Sequence, residues 1–311
     1  MAAEQPSHPN HLDPSELGTK EYRDSDADSD GGEDDHGGEE EESITERPLD
    51  PSELESWFDD VGAPAKTLAF LTDISFPLSA EYLAEHARNS NNGEHGHQAT
   101  HAGLPTVLDL GTGNGSALFS LRLEGGYKGD MLGVDYSSQS IELARRLGRQ
   151  YLNSSATASS SAELSVDDAA SEKPGDIAFE TLDLIQDDPA SQPWWPKAGG
   201  FDLVLDKGTF DAISLSSSTI HDPASNNERR ACELYPAKAA RMVKPGGFLL
   251  ITSCNWTEDE VIRWFTRPGL EQHDSVRLEI YGRIKYPVFE FAGQKGQGVA
   301  SVCFRRLEEI Y

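Results

Sequence analysis

Apolar positions along the chain switch between two periods, and the switches predict an alternation of strands and helices. Residues 63–87 place Leu68, Leu71, Ile74, Leu78, Tyr82 and Leu83 at helix-like spacing, interrupted at Pro77. Thr106–Leu110 predicts a strand, and Ser116–Glu124 a helix that enters from a glycine-rich turn. Asp130–Val134 predicts a second strand. The helix after it is capped by Ser137 or Ser138 and turns Ile141, Leu143, Ala144 and Leu147 to one side. Strands are expected at Ile177–Leu182 and Phe201–Leu205, then a helix over Glu228–Met242 that stops at Lys244-Pro245-Gly246-Gly247. Phe248–Ser253 reads as a strand, and Thr257 with Glu260 forms a capping box for the next helix. Two strands close the chain, around Val276–Ile284 and Val299–Arg305. Strands separated by helices predict an α/β fold: a mostly parallel sheet wound by right-handed crossovers, with helices on both faces. The last two strands have no helix between them, so the end of the sheet is expected to be antiparallel.

Three stretches break this rhythm. Residues 1–47 form an acidic N-terminal region. Within it, residues 24–42 hold eleven Asp and Glu and no Lys or Arg, a composition expected to be largely disordered. Residues 88–103 are polar and carry His95, His97 and His101. Without Cys or acidic partners at ligand spacing, a flexible insert is expected there rather than a metal site. Residues 153–175 are Ser/Ala-rich and read as a surface loop. The remainder of 48–311 is expected to form one domain. The net charge of −28 argues against direct binding of a nucleic-acid backbone. Cys232, Cys254 and Cys303 are scattered, which fits a cytoplasmic or nuclear, reducing compartment. No secretory leader and no apolar run of about 18 residues is present, so a membrane role is not expected.

The chemistry gathers at "VLDLGTGNGS", Val107–Ser116. Gly111, Gly113 and Gly115 let a ligand approach the backbone beyond the end of a strand, where open parallel sheets bind their ligands. The loop lacks the Gly-Lys-Ser/Thr of a triphosphate cradle. Asp109 before it suits a cationic group better than a pyrophosphate. Twenty residues after Gly115, Asp135 ends the second strand, where an acid accepts from both ribose hydroxyls. A nucleoside with cationic groups and no phosphate is S-adenosylmethionine. Asp183, after the third strand, is a candidate acceptor for the adenine amine with Leu184 against the ring; its alternative role is a loop cap.

Four segments carry a family resemblance: "DLGTGNG", "GVDYS", "FDLVLDKGTFDAISL" and "FLLITSCNWT". Together they resemble class I S-adenosylmethionine-dependent methyltransferases. More narrowly, they are similar to the methyltransferase-like protein 10 family, whose fungal members are elongation factor methyltransferase 4. "PSELGTKEY" (Pro14–Tyr22), "SWFDD" (Ser56–Asp60) and "YPVFEFAGQKGQGVASVCF" (Tyr286–Phe304) are similar to further family segments. The resemblance implies a Rossmann-like, seven-stranded sheet with an antiparallel last strand. It also implies protein-lysine N-methylation, with translation elongation factor 1-alpha as partner and a monomeric enzyme. It adds Trp57, Asn114 and Tyr136 to the cofactor-binding candidates. One departure stands out: Tyr22 is followed by Arg23 and the acidic run, where the family continues through a Trp into a helix.

For transfer, an amine must present a free electron pair in line with the bond being broken, and positioning supplies much of the rate. Asp206, at the end of the fourth strand, is a candidate both for cofactor contact and for accepting an N–H of the incoming lysine. Its competing role is to cap the Gly208–Thr209 turn. Asn255 and Trp256 reach the same rim. Trp256 reads either as the wall of a lysine channel or as a buried anchor. Lys207 reads as a structural or cofactor-carboxylate partner, and Asp211 as facing the Lys207 turn. Trp194 and Trp195 are expected to pack over the sheet end. Cys254 has no His base near it in sequence, so a nucleophilic role is poorly supported. Two competing functions remain at this level: a small-molecule amine methyltransferase or aminopropyltransferase, and a non-catalytic cofactor-binding scaffold.

Overall fold

The structure, a computed structural model, describes residues 9–15, 58–90, 103–159, 175–222, 226–267, 276–291 and 294–308. In chain order the strands are β1 (Val107–Leu110), β2 (Met131–Asp135), β3 (Ile177–Thr181), β4 (Phe201–Lys207), β5 (Thr219–Asp222), β6 (Asn227–Arg230), β7 (Val243–Ser253), β8 (Leu278–Ile284), β9 (Val288–Phe291), β10 (Gln294–Gln297) and β11 (Ala300–Arg306). The helices are α1 (Ala63–Thr72), α2 (Ala80–Ser90), α3 (Ser116–Leu123), α4 (Ser138–Ser159), α5 (Thr209–Leu215), α6 (Ala231–Met242) and α7 (Glu258–Thr266).

Seven strands form one sheet in the order β3-β2-β1-β4-β7-β11-β8. The pairs β1/β2, β2/β3, β1/β4 and β4/β7 are parallel, and β11 runs antiparallel to both of its neighbours. This is the seven-stranded arrangement with an antiparallel last strand that the resemblance implied. The order reverses direction at β1/β4, the switch point where such sheets open a crevice.

The two-residue period of the strands divides the core. Val107, Leu203, Leu205 and Leu250 pack with Phe76, Leu118 and Ile141, from the α1–α4 side. Leu108, Leu110, Val204, Leu249 and Ile251 pack with Phe210, Tyr235 and Trp264, from α5–α7. Both faces are therefore covered, and the central strands are apolar on both sides, as a buried parallel sheet requires. The Phe210 ring stacks on Tyr235 and on Trp256, with centroids 5.8 and 5.9 Å away, and meets Trp264 edge-on.

The elements differ from the sequence reading at several points, one being the β9–β10 hairpin between the last two strands of the sheet. The 63–87 periodicity is split into α1 and α2, because the Asp73 carboxylate accepts from Ser75 N (2.8 Å) and Oγ (2.6 Å) and turns the chain. The helix expected from Glu228 begins only at Ala231, since residues 227–230 pair antiparallel with Thr219–Asp222. The Ser/Ala stretch begins as helix: α4 continues to Ser159, and Ala and Ser are tolerated inside helices. The acidic run, most of the 88–103 insert and residues 160–174 lie outside the described residues. Within the N-terminal region, residues 9–15 lie against α5–α7. The Ser15 N–H donates to Leu215 O, an Arg230 N–H donates to Leu12 O, and His11 stacks on Trp264.

Candidate functional site

The loop from β1 to α3 has Gly111, Gly113 and Gly115 all at positive φ (66°, 54° and 80°). Two of these glycines are required sterically. A β-carbon on Gly111 would overlap the Thr209 hydroxyl, which donates to Leu110 O at 2.7 Å and so ties β1 to the head of α5. A β-carbon on Gly115 would press on the Phe179 ring. At Gly113 the corresponding space is open. Asn114 Oδ1 accepts from Ser116 N (3.1 Å) and opens α3. Asp135, buried at the end of β2, clamps the loop: Oδ2 accepts from Gly113 N and Oδ1 from Ser137 N, both at 3.0 Å. Tyr136 beside it is half-buried.

Between α1, α3 and the strands β1, β4 and β7 is a pocket of about 150 Å³, bordered by Asp59, Thr67, Asp109, Ser116, Lys207 and Thr252. Asp109 is 4% exposed; its Oδ2 accepts from the Thr112 hydroxyl at 2.8 Å. Burial pushes its carboxyl up to about 6, against the opposing pull of that hydrogen bond and of the Lys207 charge. The Lys207 ammonium sits 5.8 Å from the Phe58 ring centre, and burial lowers its proton affinity. Trp57, next to Phe58, lies outside the described residues.

Asp206 points to the other face of the sheet, because consecutive strand residues alternate. It is 1% exposed. Oδ1 accepts from Thr209 N (2.9 Å), Oδ2 from the Tyr235 hydroxyl (2.7 Å), and Phe210 N donates to both oxygens at 3.2 Å. This is the turn-cap arrangement, with a tyrosine added. Burial pushes the Asp206 carboxyl up to about 7 despite these donors.

Asp211 does not face the Lys207 turn, as the sequence suggested. The α5 helix carries it to the end of β7, where it accepts from Ser253 Oγ (2.5 Å) and Cys254 N (2.8 Å). The Ser253 hydroxyl oxygen in turn accepts from Asn255 N and Trp256 N, so Asp211 shapes the turn that carries both residues. Trp256 is 4% exposed, and its indole N–H donates to Ser214 Oγ at 3.2 Å, the buried-anchor placement. Asn255 and Cys254 are exposed at the rim. Partial desolvation of the sulfur at this rim, and then the Asp211 carboxylate, push the Cys254 thiol up to about 12, which does not make a nucleophile. Asp183 is exposed; its Oδ1 caps a turn by accepting from Ile185 N and Gln186 N. Leu184 is buried in the core, and Trp194 and Trp195 pack half-buried around Phe201.

The structure thus brings the glycine loop, Asp109, Asp135 and Lys207 together at one end of the sheet. Asp206, Asp211 and Trp256 form a second, connected group on the opposite face. Sequence reasoning missed Tyr235 as the partner of Asp206 and Ser253 as the hub of the β7 turn. Period two along Leu203, Leu205 and Lys207 carried the signal that Asp206 and Lys207 part company.

Residues 103–293 match the family described as a methyltransferase domain. The chain is similar to the protein-lysine N-methyltransferase EFM4 of Saccharomyces cerevisiae, 32% identical over 263 residues, covering 85% of this chain and 87% of that protein. It is 35% identical over 203 residues to the Schizosaccharomyces pombe protein of the same name, covering 64% of this chain and 68% of that one. It is 31% identical over 202 residues to human EEF1A lysine methyltransferase 2, covering 65% of this chain and 66% of that protein.

Proposed function

We propose that this chain, which belongs to the methyltransferase-domain family, transfers methyl groups from S-adenosylmethionine to a lysine of translation elongation factor 1-alpha. The observation that carries the reading is the alignment with EFM4 along 85% of this chain and 87% of that protein, on a sheet whose switch point holds the glycine loop. The pocket's chemistry fits that donor. A buried acid ends β2 beside an open glycine, and two carboxylates, Asp59 and Asp109, and the Lys207 ammonium border the nearby cavity.

When bound, the donor supplies a methyl carbon made electrophilic by its sulfonium. Asp135 and the backbone of Gly111–Gly115 would hold the nucleoside, with Asn114 and Tyr136 beside them. Asp183 and Leu184 would border the adenine, and Asp109 would face the amino-acid end. A free lysine titrates at about 10.4, so the incoming amine must lose a proton, which burial at the rim promotes. Asp206 is a positioning residue in this reading: its four hydrogen bonds fix the β4–α5 turn against which the amine is presented. Asn255 is the exposed polar group at the rim available to the incoming chain, and Trp256 anchors the turn that carries it. A monomer in the cytoplasm or nucleus is the setting we assign; the three free cysteines support a reducing compartment.

The test is transfer from labelled donor into a cell extract. A labelled protein band of the size of elongation factor 1-alpha supports the reading. Label confined to small molecules favours a metabolite methyltransferase, and bound donor with no transfer favours a scaffold.

A further inference from the structure

Lys207 closes β4 and, among the described residues, is the one cation that borders the pocket between α1, α3 and the sheet. Among the described residues its ammonium makes no hydrogen bond and no ion pair within 4 Å; its recorded contact is the Phe58 ring. Asp109, Asp59 and Asp206 act on it only through space. A half-buried ammonium without a bonded partner is costly, unless something that enters the pocket supplies the anion. The walls around it are also uneven in charge. The first turns of α3 bring Ser116 and Ser120 and the positive end of the helix to one side, and the buried Asp109 lies on β1. Lys207 and the two carboxylates Asp109 and Asp59 border this small cavity, so it offers acceptors for an amine and one cation for a carboxylate, the two groups of an α-amino acid.

We propose that Lys207 grips the carboxylate of the donor's amino-acid end, and so selects the intact donor over its decarboxylated form. The inference rests on the methyl-donor reading above. A decarboxylated donor keeps the amine and loses the anion, so it would set a second cation beside Lys207 and leave the lysine unanswered. The residue would then separate methyl transfer from aminopropyl transfer at the level of binding.

Binding affinities of three ligands, measured by calorimetry on the full chain, test this. They are S-adenosylhomocysteine, its decarboxylated analogue S-adenosyl-3-thiopropylamine, and 5′-methylthioadenosine, which lacks the whole amino-acid end. The wild type is expected to prefer S-adenosylhomocysteine over the decarboxylated analogue by about 10- to 100-fold, the range of one charge-assisted hydrogen bond. Lys207→Met should remove most of that preference and leave 5′-methylthioadenosine binding unchanged, while Lys207→Arg restores part of it. Equal wild-type affinity for the first two ligands overturns the proposal, even if Lys207→Met does not fold. An equal loss for all three ligands in a folded Lys207→Met protein also overturns it, and makes the lysine structural. A wild type that binds none of the three sinks the donor reading itself.

Discussion

The Tyr235 hydroxyl donates a 2.7 Å hydrogen bond to Asp206 Oδ2, joining α6 to the end of β4 inside a fully buried aromatic cluster. The carboxyl it touches is raised from an ordinary 3.8 to about 7 by burial. Between those two values the folded chain keeps a proton that the unfolded chain releases. Stability from this group is therefore present at low pH and is lost as pH rises towards about 7. Asp206→Asn mimics the protonated form. Its stability relative to wild type should improve between pH 5 and pH 8, as read from denaturant unfolding at the two pH values. A relative stability that worsens with pH would mean that Asp206 ionises easily when folded. Because Asp206 is placed as a positioning residue, the same variant should lower turnover more than donor binding.

Asp135→Ala removes the acceptor for Gly113 N and Ser137 N and a candidate ribose partner. Binding of S-adenosylhomocysteine should fall by about 10- to 100-fold, and unfolding free energy by about 1–3 kcal/mol. Calorimetry and thermal unfolding measure the two effects separately. An unchanged affinity would remove Asp135 from the site.

Gly111→Ala places a methyl group where the Thr209 hydroxyl lies, at a φ of 66° that disfavours a side chain. We expect a loss of about 1–3 kcal/mol in unfolding free energy from the strained backbone alone. Relief of the clash would also break the Thr209 bond to Leu110 O, so Thr209→Ala in the same background should cost less than in the wild type. Additive costs would show that the two residues do not share this contact.

Trp256→Ala separates the two roles that the sequence left open. A buried anchor stacked on Phe210 should cost about 3–5 kcal/mol when truncated. A channel wall would cost little stability and raise KM for the protein substrate. Chemical unfolding together with steady-state kinetics tells these apart.

Much of this architecture was legible because the central strands are short apolar runs that end in chemistry: Asp109, Asp135 and Asp206 each stand at or near the end of a strand. The glycine loop announced its position by composition, and Thr257 with Glu260 announced a helix start that the structure reproduces. The β5–β6 hairpin was not legible. Its strands, Thr-Ile-His-Asp and Asn-Glu-Arg-Arg, show no apolar alternation, and their pairing is made by the backbone. Asp211 was misplaced for a related reason. Its partners on Ser253 and Cys254 are more than forty residues away, set by the β4/β7 register rather than by anything local. Tyr235 sits on a helix that reads as amphipathic core, and nothing short of the fold brings its hydroxyl to Asp206.

The most direct measurement incubates the purified protein with labelled S-adenosylmethionine and purified elongation factor 1-alpha, and maps the product by peptide mass spectrometry. Methyl groups on a defined lysine of the factor, lost with Asp135→Ala, are the predicted result. An unmodified factor, while the protein demonstrably binds the donor, would contradict the assignment of elongation factor 1-alpha as substrate.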